Sequence, residues 1–547
     1  MGYETILDSA YLNNYQSKWP NKTILDYLNE QIAKSPDKVA IIDKKSRYTY
    51  KELGELVDRV ALGLLEIGLK KGDVISFQLP NWNEFVILYF AATRIGAISN
   101  PLIPIYRERE IGFMVKMAES KMIVIPDEFR GFQYAEMIGK LLPQWPSMEH
   151  VYVLGDKIPP GMKSFDSLLA EPWEKRKDVA VLDEIVHDPN EVTEIIFTSG
   201  TTGDPKGVMH THNTINVAAS YWIDHLSLTP EDTIFMASTF AHQTGFLYGV
   251  NLPIIYGGTG VFQDIWNPEE FLELIEKENI TFTASATPFL QDTVKAAKAS
   301  TNDVSSLRIF IAVGAPIPRV LVKEARKALP CAILTGWGQT ENGMVTITLV
   351  DDTEEKITGT DGKAFPDMEV KVVDPSGNTL PPHEEGYLMC KGPALFVGYL
   401  KRITETKDEF QDGWFTTGDS AVMDEDGYIR ITGRVKDIII RGGENIPVAY
   451  VENVLYEHPD IETVQLVAIP DDRLQEKACA VVKMKEDRAP LTMEKIQKFL
   501  EEKGIAKQYW PEYLELMDEL PTTASGKIQK FKLREMINEK ISTHTMG

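Results

Sequence analysis

The run Thr198-Ser199-Gly200-Thr201-Thr202-Gly203-Asp204-Pro205-Lys206-Gly207 combines the residue types that hold a phosphate. Glycine allows close backbone approach, hydroxyls donate hydrogen bonds and lysine supplies charge. The run lies directly after an apolar strand pattern, Glu194 to Thr198, and before a predicted helix. Taken alone, such a loop reads equally well as a flexible surface turn. It is not a Walker A loop, because that spacing requires glycine at Pro205, and Lys206 is followed by Gly207 rather than Ser or Thr. Ser525-Gly526-Lys527 fails the same test, since Ile528 follows the lysine. A P-loop NTPase is thereby disfavoured.

The elements that must position this loop alternate between helix and strand. Lys51 to Leu69 and Trp82 to Ile95 have helical apolar spacing, while Val74 to Leu79 and Met122 to Pro126 read as strands. The rhythm continues through the helix Pro268 to Glu278 and the strands Thr281 to Ala284 and Arg308 to Val313. Sheets covered by helices follow, hence an α/β class. From Glu354 to Gly443 the chain turns rich in Gly, Pro and Asp between short β runs such as Val370 to Val373 and Tyr428 to Ile431. Beyond Arg434 come a helix (Val448 to Glu457), strands (Val464 to Ile469, Ala478 to Met484) and a helix (Thr492 to Lys503). We expect a large N-terminal domain over 1–435, with a β-rich sub-domain over about 354–435, and an α+β C-terminal domain over 436–547.

At 547 residues the chain exceeds a single compact core. Its 43% apolar and 25% charged residues match globular averages, which leaves no compositional case for disorder. A formal net charge of -24 argues against nucleic-acid or anionic-membrane partners, so any phosphate ligand must meet a local basic patch. Three scattered cysteines, Cys331, Cys390 and Cys479, suit neither a disulfide framework nor a zinc cage. No run of about eighteen apolar residues and no signal-type N-terminus is present, so a cytoplasmic location without a transmembrane segment is expected. Oligomeric state is left open, a homodimer included.

The loop gains weight from company. Gly314-Ala315-Pro316, Gly336-Trp337-Gly338-Gln339-Thr340-Glu341, Thr417-Gly418-Asp419, Gly433-Arg434-Val435-Lys436-Asp437, Gly442-Gly443-Glu444-Asn445 and Pro521-Thr522-Thr523-Ala524-Ser525-Gly526-Lys527 follow it in order. With this ordered set the chain resembles the acyl-adenylate-forming superfamily of acyl-CoA synthetases, luciferase-like enzymes and peptide-synthetase adenylation domains, over nearly its whole length. The resemblance implies that a carboxylate attacks the α-phosphate of ATP, a meeting of two anions that the site must neutralise and align. It implies that Lys527 bridges the two, that Thr340 and Glu341 contact phosphate, and that Glu341 holds Mg²⁺. Asp419 and Arg434 become ribose ligands. Thr198, Ser199, Gly200, Thr201, Thr202, Lys206, Gly314, Ala315, Pro316, Gly336, Gly338 and Gln339 join the nucleotide site. Trp337 stands where most relatives place tyrosine, and its indole can still stack on adenine. For the second half-reaction the family rotates its C-terminal domain. Lys436 matches the hinge, and Gly442, Gly443 and Glu444 match the segment that swings in beside coenzyme A. Read without that company, Lys527 is a solvated tail lysine, Glu341 a helix-cap partner, Asp419 and Arg434 a surface ion pair, Trp337 a core aromatic and Lys436 a passive linker.

The segment Thr239 to Phe246 matches the family's acyl-pocket motif, with His242 at its aromatic gate position; alone, His242 reads as a structural histidine. That segment contains no carboxylate, which favours an acid charged only at its own carboxylate. Gly338 stands where acetate-activating relatives carry tryptophan, so a larger acyl group is expected. Asn100 to Glu110 and Ser525 to Lys530 resemble short- and medium-chain acyl-CoA synthetases and cyclohexanecarboxylate-CoA ligases. The expected function is an AMP-forming acid:CoA ligase acting on a cyclic (cyclohexanecarboxylate- or benzoate-like) or short-to-medium-chain acid, reversible in principle to make ATP. The alternatives are a stand-alone loader of a carrier protein and a non-catalytic nucleotide-binding relative.

Overall fold

The computed structural model describes residues 3–198, 205–314, 317–437, 439–441, 444–446, 448–471, 474–505, 507–522 and 528–544. Among them, two large sheets dominate the first 400 residues. A nine-stranded sheet runs Lys363–Ala364, Gly343–Ile347, Ala332–Gln339, Ile309–Ala312, Phe282–Ser285, Thr233–Met236, Thr259–Phe262, Val39–Ile42, Arg47–Thr49. Its interior, from Ala332–Gln339 to Val39–Ile42, is parallel. An eight-stranded sheet runs Gly398–Tyr399, Lys206–Thr211, Val192–Thr198, Ile98–Pro101, Val74–Phe77, Met122–Pro126, His150–Leu154, Lys163–Ser164. One apolar core takes Ile75, Phe77 and Ile196 from the second sheet and Ile234, Met236 and Ile311 from the first, with the helices Tyr50–Glu66, Asn83–Arg94 and His212–His225 contributing to it.

Local chemistry explains these elements. Pro268–Glu278 starts on Asn267, whose side chain accepts from the Glu270 N–H, has proline in its first turn and ends on Asn279 in the left-handed region. Tyr50–Glu66 opens on a capping box between Thr49 and Glu52 and buries Leu53, Val57, Val60, Ala61 and Leu64.

One expectation fails. The phosphate-type loop is not followed by a helix: Lys206–Thr211 is a strand, antiparallel to Val192–Thr198 with Thr198 opposite Lys206, and the helix begins only at His212. Gly207 to Thr211 are buried between the Val192–Thr198 and Gly398–Tyr399 strands, so pairing on both edges claims them. The loop therefore joins a hairpin, with no helix N-terminus at its end.

A five-stranded antiparallel sheet follows, Glu369–Val373, Glu385–Lys391, Trp414–Met423 and Phe410–Gln411, with Ile429–Arg434 along the Trp414–Met423 strand. The last unit is a sheet of Glu444–Ile446, Ile439–Arg441, Gln475–Met484, Ile461–Asp471 and Tyr513–Leu516. It carries separate apolar clusters, one around Val451, Leu455, Val464 and Leu500 and one around Val467, Val481, Leu533 and Ile537. Among the described residues, no helix is long and apolar enough to cross a membrane.

Candidate active site

The strand Ala332–Gln339 ends at a small cavity open to solvent. Gly338, Gln339 and Thr340 line one wall, Val313 and Gly314 a second, and His242, Gln243, Thr244 and Tyr248 a third. Three motifs far apart in sequence thus meet here. Parallel pairing of Ile309–Ala312 with Ala332–Gln339 brings two of them side by side at the C-terminal edge of the sheet, where ligands of open α/β sheets bind.

Beside this wall, Asp419 gathers three donors. Trp337 Nε1 and Gln339 Nε2 donate to its Oδ2 at 2.8 and 3.0 Å, and Arg434 Nε lies 2.6 Å from Oδ1. Register places Asp419 opposite Arg434 on neighbouring strands. Gln339 also donates to the Thr417 carbonyl at 2.9 Å, and the Thr417 hydroxyl donates to the Leu388 carbonyl at 2.7 Å. The Asp419 side chain is 6% exposed and Arg434 50%, so the arginine is the partner a ligand can displace. Trp337 lies in the apolar core with its ring nitrogen committed to Asp419.

Thr340 and Glu341 are fixed from several sides. The buried His210 places Nε2 2.8 Å from the Thr340 carbonyl and Nδ1 2.9 Å from the Thr214 hydroxyl. A carbonyl only accepts, so Nε2 carries the proton and Nδ1 accepts from Thr214. Burial pushes the His210 pKa down to about 4, which keeps the ring neutral. The Phe396 N–H donates to the Glu341 carbonyl at 2.7 Å, and the Tyr399 hydroxyl donates to the Glu341 carboxylate at 3.0 Å. Burial raises the Glu341 carboxyl above its ordinary range, against the pull of Arg434 and Lys206. Lys206 sits 3.2 Å from Glu409 and over the Tyr399 ring at 4.4 Å, so positive charge stands close to Glu341. Sequence reasoning missed His210 and Tyr399; buried polar groups aimed at a motif from other strands leave no local pattern.

The third wall is pinned from outside. Asn81 accepts from the Phe240 N–H at 2.9 Å and donates to the Ser238 and Gln263 carbonyls. A Cβ on Gly245 would meet the Thr239 carbonyl oxygen at 2.1 Å, so only glycine permits this tight chain reversal. Tyr248, stacked on Trp222 at 3.6 Å, accepts from the Met344 N–H through its hydroxyl oxygen at 2.9 Å and lines the cavity with His242. Gly338 has a cause beyond pocket size: a Cβ there would meet the Gly343 carbonyl oxygen at 2.0 Å, because the neighbouring strand presses against it. The segment Thr239 to Phe246 itself holds no carboxylate, but another strand brings one up to it. Glu194, from the strand Val192–Thr198, is fully buried and faces Gln243.

Ser199, Gly200, Thr201, Thr202, Ala315, Pro316, Gly442, Gly443 and Lys527 lie outside the described residues. Lys436 lies in the short turn Val435–Asp437, and Glu444 opens the strand Glu444–Ile446. Thr198 is the last residue of its strand, and Gly336 lies within Ala332–Gln339. The thiols of Cys331, Cys390 and Cys479 are free and raised by burial to about 12, which makes them poor nucleophiles.

A two-sheet fold carrying this constellation is a known architecture: the chain belongs to the AMP-binding enzyme family, whose model matches residues 28–400, with its C-terminal domain matching 450–527. It is an AMP-forming acyl or aryl acid ligase of the acyl-CoA synthetase class. It is 36% identical over 531 residues to the medium-chain fatty-acid–CoA ligase of Escherichia coli K12, covering 96% of this chain and 92% of that one. It is 31% identical to the 2,3-dihydroxybenzoate-AMP ligase of Bacillus subtilis, covering 96% and 95% of the two chains. Among solved structures, ATP-bound MatB from Rhodopseudomonas palustris superposes with a TM-score of 0.84 at 27% identity, over 94% of this chain and 99% of that one. The fold is also that of the anthranilate CoA ligase AuaEII, with a TM-score of 0.88 over 96% and 99% of the chains at 23% identity.

Proposed function

We propose that the chain activates a short-to-medium-chain or cyclic monocarboxylic acid with ATP and transfers the acyl group to coenzyme A. The observation that carries this reading is the continuity of one strand end: Gln339, bound to Asp419, and Gly338 and Thr340, which line the cavity, are consecutive residues. A nucleotide held at Asp419 and an acid held in the cavity would present their reacting groups to the same short segment.

In the first step the acid's carboxylate oxygen attacks the α-phosphorus, an oxygen–phosphorus bond forms and pyrophosphate departs. Thr340, with its backbone fixed by His210, orients phosphate, and Lys527 neutralises the two converging anions. Glu341 is the carboxylate suited to Mg²⁺. Among the described residues no cluster of three or more His, Cys, Asp or Glu side chains could cage a metal, which fits an ion whose other ligands are phosphate oxygens and water. Bound there, the metal would neutralise phosphate charge. In the second step a thiol attacks the acyl carbonyl and AMP leaves; we assign this step to a rotated C-terminal unit hinged at Lys436. A cytoplasmic site of action and reversal towards ATP under excess pyrophosphate belong to the same proposal.

Pyrophosphate release across acetate, butyrate, octanoate, benzoate and cyclohexanecarboxylate, with and without coenzyme A, tests the reading. Coenzyme-dependent turnover with a medium-chain or ring acid and weak turnover with acetate is expected. Release that never yields a thioester with free coenzyme A, yet acylates a carrier protein, would replace it with the loading reaction.

A further inference from the structure

Glu194 is out of place as an ordinary core residue. It lies on the strand Val192–Thr198, inside the eight-stranded sheet and opposite Ser99, and is 0% exposed. Neither of its carboxyl oxygens has a hydrogen-bond partner among the described residues. Gln243, 3% exposed and part of the cavity wall, likewise has no partner for its side-chain oxygen or nitrogen among those residues. The two side chains face each other, and the structure draws no hydrogen bond between them. Tyr89, a further polar neighbour, is already committed: its hydroxyl donates to Asn251 Oδ1 at 2.9 Å, and the Asn251 amide donates to the Phe246 carbonyl at 2.9 Å.

Each unpaired buried polar group costs about 1–3 kcal/mol. An isoleucine such as those at 195 and 196 next door would avoid that cost entirely. Two such groups in contact, one of them on a cavity wall, point to a ligand that completes them.

We propose that Glu194 and Gln243 act as one polar unit of the acyl cavity, selecting acids whose acyl part carries an uncharged hydrogen-bond acceptor such as a keto, hydroxyl or ether oxygen. The inference rests on the reading of this cavity as the acid's site. Burial pushes the Glu194 carboxyl far above the usual carboxylate range, so it carries a proton to donate. A small side-chain rotation gives that proton to the Gln243 oxygen, and the carboxamide is then fixed with its NH₂ towards the cavity. An NH₂ group needs an acceptor. A second carboxylate is disfavoured, because among the described residues no lysine or arginine lines the wall to neutralise it. Gln243 meets the substrate; Glu194 is a positioning residue that acts through it.

The test compares kcat/KM for matched acids, 5-oxohexanoate against hexanoate and 3-hydroxybenzoate against benzoate, in the full-length enzyme. In the wild type the acceptor-bearing member of at least one pair is favoured by about tenfold, the value of one hydrogen bond whose loss leaves a donor unpaired. Glu194→Gln, whose amide can still donate to Gln243, keeps most of that ratio. Glu194→Leu and Gln243→Leu bring it towards one, through a higher KM for the acceptor-bearing acid. A packing role alone would move both members of a pair together, and that result overturns the inference. So does a wild-type ratio at or below one in both pairs, which needs no variant to fold. Turnover of the plain acids without preference leaves the ligase reading standing, whereas absence of pyrophosphate release with every acid removes both.

Discussion

The two ends of the site differ in how their polar groups are satisfied. At the proposed nucleotide end the described donors converging on Asp419 are satisfied: Trp337, Gln339 and Arg434 meet one carboxylate, and Thr417 is itself held by the Leu388 carbonyl. At the acyl end Glu194 and Gln243 remain unpartnered among the described residues. The first arrangement suits a ligand that never varies, because preorganised groups need no rearrangement when it binds. The second suits the variable substrate. The wall common to both is a few residues of one strand, so in the proposed reaction recognition of nucleotide and of acid can diverge without disturbing the segment they share.

The largest effect should come from attacking the satisfied end. Asp419→Ala strands the Trp337 and Gln339 donors and removes the proposed ribose ligand, and hydrogen bonds to charged groups are worth about 1.5–3 kcal/mol each. Adenylation, followed by acid-dependent exchange of pyrophosphate into ATP, should fall about a hundredfold or more, with a raised KM for ATP and a near-normal KM for the acid. An equal rise in both KM values would break the division into two ends. Lys436→Pro comes next. Fixing φ at this turn should lower thioester formation by about tenfold or more while pyrophosphate exchange persists. Equal loss in both half-reactions would remove the hinge.

The same contrast marks what the sequence could disclose. Strands and helices with clean periodicity and caps, such as Met122–Pro126 and Pro268–Glu278, fall where residue spacing puts them. The hairpin strand Lys206–Thr211 does not, because it runs into the helix His212–His225 as an unbroken, mostly buried stretch with no Gly or Pro between them. Gly338, Gln339 and Thr340, singled out by order and type, do come to lie together on one cavity wall. Glu194 could not be singled out so: one carboxylate near the start of a strand looks the same in sequence whether solvent or a cavity wall faces it. Its environment is set by the helix Asn83–Arg94 and the turn at Gln243, distant in the chain. His210 is hidden for the same reason.

His210 allows the smallest and most discriminating test. Its ring bridges Thr214 and the Thr340 carbonyl, and only the second bond reaches the proposed phosphate contact. A glutamine side chain reaches as far as Nε2 and can renew the bond to Thr340, whereas asparagine reaches only as far as Nδ1 and keeps Thr214. His210→Gln should retain most adenylation activity and His210→Asn should lose about tenfold in kcat, in line with one lost hydrogen bond and an unpaired carbonyl. If the two variants are equally impaired, the bond to Thr340 does not matter. Acid stability separates the structural share. The folded protein holds His210 neutral with a pKa of about 4, below its ordinary value near 6.5, so the unfolded chain binds the extra proton between those values. The ring's contribution is complete above pH 6.5 and is lost as pH falls towards 4, a change of about 3 kcal/mol. Glutamine does not titrate. The difference in Tm between wild type and His210→Gln should therefore shift in favour of the variant as pH is lowered from 7 to 4.5, and a difference that stays constant would show that the buried ring is not held neutral.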